Sequence, residues 1–121
     1  MPWSIEYYEQ GDTTQPAEVF EDLLQRGNPK LRGKLLRIAV ALQDEGHRLG
    51  GGLIEPCHDY PGLWEMRTIF NGWLGREFFG FDDTRVVLLH GYVKRAGDAA
   101  SAPNFATAHA YWMAYVSTRR V

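Results

Sequence analysis

Residues 62–95 read GLWEMRTIFNGWLGREFFGFDDTRVVLLHGYVKR, and the fold turns on how this stretch is divided. Asn71-Gly72 and Asp82-Asp83 split it into three short apolar runs rich in Val, Phe, Trp and Leu. That pattern predicts consecutive antiparallel strands at 63–70, 73–81 and 85–94. Side chains alternate along a strand, so each run sorts into two faces. In the third strand Val87, Leu89 and Val93 make an apolar face, while Val86, Leu88, His90, Tyr92 and Lys94 share the other. Arg76 sits between Leu74 and Phe78 in the second strand, and Arg67 shares a face with Glu65 in the first. Stacked in register, the polar faces gather Arg67, Arg76, His90, Tyr92 and Lys94 into a cationic cleft holding a histidine.

Outside this stretch the bounds are ordinary. The chain has 121 residues, 45% hydrophobic and 23% charged, which predicts one soluble domain spanning residues 1–121. A single cysteine, Cys57, rules out an internal disulfide and fits a reducing cytoplasm. The N-terminus has neither the basic start nor the apolar run of a signal peptide, and no segment has the ~20 apolar residues of a membrane span. The expectation is a cytoplasmic protein that makes no membrane contact. Net charge is −2: residues 1–60 hold six Lys/Arg against ten Asp/Glu, and residues 61–121 hold seven against five. That balance argues against simple nonspecific nucleic-acid binding but permits an anionic ligand on the sheet half.

In chain order, Trp3, Ile5 and Tyr7 alternate with Ser4, Glu6 and Tyr8, which predicts a half-buried strand. Asp12 or Thr14 can cap a helix that opens at Pro16, buries Phe20, Leu23 and Leu24, and stops at a left-handed Gly27. Pro29 opens a second helix with the apolar stripe Leu31, Leu35, Ile38 and Leu42, closed by Gly46. Its other side carries Lys30, Arg32, Lys34 and Arg37, read as a solvated face in preference to an RNA-facing patch. Residues 47–62 read as a loop. Gly50-Gly51-Gly52 lacks the Gly-Lys-Ser/Thr of a phosphate loop, and the adjacent Cys57, His58 and Asp59 lack metal-ligand spacing. Phe105, Ala108, Trp112 and Tyr115/Val116 predict a C-terminal helix from Pro103, its aromatics serving core or partner contacts. The order β-α-α-β-β-β-α makes an α+β domain, an antiparallel sheet packed against helices.

Four segments carry a family resemblance: Trp3-Ser-Ile-Glu-Tyr-Tyr8, Gly62-Leu-Trp-Glu-Met-Arg67, Arg76-Glu-Phe-Phe79 and Val86-Val-Leu-Leu-His-Gly-Tyr-Val-Lys-Arg95. Together they resemble the RelE/ParE toxin superfamily, nearest its HigB-like, phage-derived branch. The resemblance implies a RelE-like fold and the toxic half of a type II toxin–antitoxin pair. It further implies a helix-turn-helix antitoxin partner, assembly as a homodimer or a toxin–antitoxin heterotetramer, and no cofactor. Many such toxins cut mRNA on the ribosome without a metal and so inhibit translation. Carried over by position, Arg67, Arg76 and Lys94 match residues that face the RNA, and Arg95 extends that run as an RNA contact.

Metal-free cleavage needs a base for the 2′-OH, an acid for the leaving oxygen and fixed positive charge. His90 is of the type that can serve as base or acid. Arg67 and Arg76 can clamp the phosphate, Lys94 adds charge, and Tyr92 can stack on a base. These assignments define a candidate endoribonuclease, an mRNA interferase. Two alternatives stand beside it: a ParE-like, non-enzymatic inhibitor of DNA gyrase, and a degenerate non-catalytic binding or regulatory module. The structural reading has His90 hydrogen-bonded within the fold and Arg67 paired with Glu65 or Glu77. Alternation also places Glu77 beside Phe79 and Phe81 on the core face, which predicts an edge strand or a bulge near Gly75. The segment after Arg95 departs from the family pattern, which suggests that the last helix serves the antitoxin or a second copy.

Overall fold

A computed structural model describes residues 2–119. The elements run β1 (Ser4–Tyr7), α1 (Pro16–Gly27), α2 (Pro29–Glu45), β2 (Ile54–Pro56), β3 (Trp64–Phe70), β4 (Trp73–Asp82), β5 (Arg85–Arg95) and α3 (Ala102–Arg119). They form a single five-stranded sheet of order β1-β5-β4-β3-β2, with helices on both faces. The α+β class and the three central strands agree with the sequence reading. The sheet itself is mixed: β2 to β5 pair antiparallel, but β1 lies parallel to β5, with Ser4 opposite Arg85 and Tyr7 opposite Leu88. The stretch read as a loop contains β2, which pairs with β3, and a 3-10 turn at Gly46–Arg48. Three residues after a glycine run show no alternation, so β2 left no periodic signal.

Two apolar clusters sandwich the sheet. On one face α1 and α2 cover Ile54, Met66, Phe79, Val86 and Leu88; on the other α3 covers Leu63, Phe78, Val87 and Leu89. The α2 stripe Leu31, Leu35, Ile38 and Leu42 is buried as its spacing predicts. In α1, Ala17, Phe20, Glu21 and Leu24 are buried, whereas Leu23 is 59% exposed, contrary to expectation. Neither Asp12 nor Thr14 caps α1. Asp12 Oδ1 accepts from the Thr14 backbone N–H at 3.0 Å, and Gln15 holds the cap position without a side-chain bond. Gly27 is the last helical residue, and the turn is made by Asn28, whose Oδ1 accepts from Leu31 N–H at 3.2 Å and so caps α2.

The bulge lies in β5, not near Gly75. His90 pairs with Phe78 and Leu88 with Phe79, which leaves Leu89 as the extra residue. The bulge breaks the simple alternation: Val87 and Leu89 join His90 and Tyr92 on the α3 face, while Val86 and Leu88 face α1 and α2. After it, Gly91 turns toward α1, where a Cβ would stand 2.3 Å from the Phe20 ring. No side chain but hydrogen fits between β5 and Phe20.

Glu77 has a different explanation from either one expected. β4 is an interior strand, and Glu77 is 2% exposed on the α1/α2 face. Burial, then a hydrogen bond to Glu21 and the nearby Glu21 charge, push the Glu77 carboxyl well above its usual range. The shift favours the protonated acid, the form that can donate to Glu21 and so satisfy an Oε2 that is buried without a hydrogen-bond partner. Tyr7 OH donates to Glu21 Oε1, and Arg32 Nη2 lies 3.3 Å from the same oxygen. Arg32 thus belongs to a part-buried ion pair and not to a solvated helix face.

Candidate active site

β3, β4 and β5 lie side by side, so the register sets the site. Arg67 is opposite Arg76, and Arg76 is opposite Tyr92. Two rows of alternation, with the β5 bulge aiming His90, place Arg67, Arg76, His90 and Tyr92 on the α3 face, as the sequence grouped them. Unpaired, two arginines directly opposite would repel. They tolerate each other because Glu65, 5% exposed, lies between them: its Oε1 is 3.1 Å from Arg76 Nε and 3.7 Å from Arg67 Nη1. Glu55 on β2 forms a second ion pair with Arg67. The expected partner Glu65 is therefore present, Glu77 is not one, and Glu55 was not foreseen because its strand was not.

Arg76 is 5% exposed. Its Nη1 donates to Tyr92 OH at 2.7 Å, and its guanidinium lies 5.2 Å from the centre of the Phe105 ring. An open cleft of about 410 Å³ is lined by the edge of this group with Arg67, Glu55, Glu65 and residues 56–60, while His90 and Tyr92 lie outside its lining. Each arginine in it has a carboxylate partner, so the cleft is close to neutral in place of the cationic surface expected.

His90 stacks parallel to Phe78 with ring centres 6.2 Å apart, and its Nε2 is 2.6 Å from Asn104 Oδ1. Asn104 Nδ2 donates to Ser101 Oγ at 2.8 Å, which turns the amide oxygen toward the ring and assigns the proton to Nε2. Tyr92 OH also accepts from the Ser101 N–H at 3.2 Å. Ser101, Asn104 and Phe105, at the start of α3, thus each hold one site residue: Tyr92, His90 and Arg76. No local pattern marks these contacts, because the partners lie 9 to 29 positions apart and in another element. The last helix packs on the chain's own sheet, through Ala108 and Trp112.

Lys94 and Arg95 stand apart. Lys94 Nζ donates to the Asp98 carbonyl at 2.7 Å, in the loop after β5. Arg95 turns to the opposite face and lies 4.5 Å over the Trp73 ring. Neither lines the cleft. Cys57 lies beneath it, Sγ 3.6 Å from Glu65 Oε2, and burial with the Glu65 charge pushes its thiol up to about 12. Among the described residues, no three His, Cys, Asp or Glu side chains are grouped to hold a metal, and no helix is long and apolar enough to cross a membrane.

A family model described as phage derived protein Gp49-like (DUF891) matches residues 22–112, well over half of the chain, including every strand that builds the site. No curated protein and no solved structure matches the chain significantly.

Proposed function

We infer function from one premise: the chain belongs to the phage-derived Gp49-like family, a family of RelE-like toxins in toxin–antitoxin systems, whose members imply an antitoxin partner. The finer reading proposed here is a cytoplasmic, HigB-like endoribonuclease that cuts mRNA on the ribosome and is neutralised by a helix-turn-helix antitoxin. The observation that supports it is the convergence of Arg67, Arg76, His90 and Tyr92 on one sheet face, Arg76 within 2.7 Å of Tyr92 OH.

In this reading the 2′-oxygen attacks the adjacent phosphorus, the P–O5′ bond breaks, and a 2′,3′-cyclic phosphate and a 5′-OH result. His90 moves a proton to or from the reacting oxygens, and Arg67 and Arg76 bind the phosphoryl oxygens as charge builds. Lys94 and Arg95 supply positive charge to flanking nucleotides, and Tyr92 stacks on a base. His90, Tyr92 and Arg76 are engaged by the first turn of α3, so catalysis requires that turn to lift from the sheet.

The test is primer extension on a reporter mRNA in cell-free translation, with and without ribosomes. Wild type is compared with Arg67→Ala, Arg76→Ala and His90→Ala, each first checked for a cooperative melt. Cuts that need ribosomes and are lost in folded His90→Ala and Arg67→Ala support the reading. Intact mRNA with the wild-type protein defeats it. The neutral cleft favours a second reading, a non-catalytic toxin or regulatory module that acts by binding alone. Intact mRNA together with growth arrest on expression would select that one, and a gyrase supercoiling assay would identify the gyrase form of it.

A further inference from the structure

The neutralised cleft raises the question of where the protein keeps positive charge free for a ligand. Among the described residues, Arg32, Arg85 and Arg119 also have carboxylate partners. Among the described residues, Lys30, Lys34 and Arg37 have no ion-pair partner and no side-chain hydrogen bond. They recur at i, i+4 and i+7 of α2, hence on one face of the helix, roughly 6 and 4.5 Å apart along its axis. That face borders two adjoining grooves of about 480 and 240 Å³, both lined by Lys34 and Arg37. The half-buried Phe70 ring flanks the first, and Thr68 of the same strand flanks the second. Arg67 lies between Met66 and Thr68 on β3 but points to the other face, so these grooves are separate from the cleft.

We propose that the Lys30–Lys34–Arg37 stripe of α2, with Phe70 and Thr68, binds the phosphate backbone of single-stranded RNA outside the active-site cleft. Three unpaired cations in a row suit a strand of linked phosphates better than one small anion, since each neutralises a separate phosphate. An aromatic face beside the cations suits unpaired bases, which stack on it without regard to sequence. Asp44 and Glu45 at the other end of α2 limit the track to a few phosphates and disfavour an extended duplex. Lys30 lies in the first turn, where the helix dipole adds to its charge. The inference rests on the RNA reading above and adds to it: the stripe supplies affinity and the cleft supplies chemistry.

The experiment is fluorescence anisotropy of a labelled oligouridine with the full chain and with Lys30→Ser/Lys34→Ser/Arg37→Ser, over about 50 to 200 mM salt. Losing three phosphate contacts lowers the slope of log affinity against log salt by about 2 for a single strand. Expected are a drop in affinity of at least tenfold at low salt, a shallower slope, and a melting temperature close to wild type. Equal affinity and slope in the two proteins overturn the proposal, as does a loss of the same size for duplex DNA. Lys34→Glu/Arg37→Glu gives a second variant, expected to bind no better than the triple substitution. Because the assay reads binding alone, stripe-dependent binding by a protein that cuts nothing defeats only the nuclease reading. Cleavage together with stripe-independent binding defeats only this one.

Discussion

Glu77→Gln separates the buried proton from the buried shape. Gln keeps the volume and can donate to Glu21 as the protonated acid does, but it has no proton to lose. In the native protein the Glu77 carboxyl is raised well above 4.5, by burial first and then by Glu21. The unfolded chain releases that proton near 4.5, so from there upward the folded state binds more protons than the unfolded state. Stability contributed by this group is full below 4.5 and declines by about 1.4 kcal/mol per pH unit until the folded value is reached. A chain of 121 residues has an unfolding entropy of about 0.25 kcal/mol/K, so that slope corresponds to ~5 °C per pH unit. Thermal melts of wild type and Glu77→Gln from pH 5 to 8 isolate the contribution of this carboxyl, because other groups cancel in the difference. The variant should gain on wild type as pH rises above 4.5, the gain ending where the folded value is reached. Parallel curves, or a variant that loses ground as pH rises, would refute the shared-proton account.

Three further outcomes follow from the packing. Trp112→Ala removes a ring, 8% exposed, that lies so close over Gly80 that a Cβ there would be 2.3 Å away; urea unfolding should show a loss of about 3–5 kcal/mol. Arg76→Ala leaves the buried Glu65 only the more distant and more exposed Arg67 and should cost about 3 kcal/mol, while Arg76→Met/Glu65→Gln recovers much of it; equal losses in the two would show that Glu65 is not the cause. Cys57, buried and with its thiol pushed up to about 12, should resist a thiol-reactive disulfide reagent at pH 8 in the native protein and react fully once denatured.

The central sheet and its polar face could be read from residues 62–95 because turn dipeptides and alternation are local signals. The α2 stripe was equally plain, because four leucine and isoleucine positions repeat at helical spacing over a helix bounded by proline and glycine. What escaped the sequence was non-local. β1 runs parallel to β5 because of how the α1–α2 hairpin returns the chain, and no residue of Ser4–Tyr7 encodes that direction. The bulge at Leu89 puts the residues before it one position out of alternation with His90 and Tyr92, and Leu-Leu-His carries nothing to mark it. The charge reading missed for a related reason. Arginines count as positive in a composition, but Glu55 and Glu65 cancel those of the cleft, while the acidic first half holds the stripe that stays unpaired.

The first turn of α3 is joined to β5 by an exposed stretch of only residues 96–100. Tethered that closely, Ser101, Asn104 and Phe105 meet the sheet at an effective concentration of millimolar order, whatever the protein concentration. In the proposed reading, RNA that enters the face competes with this built-in occupant, and its apparent affinity falls in proportion to the fraction of molecules in which the turn is lifted. Short free RNA at micromolar levels is a poor competitor on those terms. In the proposed reading, a scaffold that presents the message at high local concentration, as a ribosome does, offsets that disadvantage, and the short tether would then favour cleavage on such a scaffold over cleavage of free RNA.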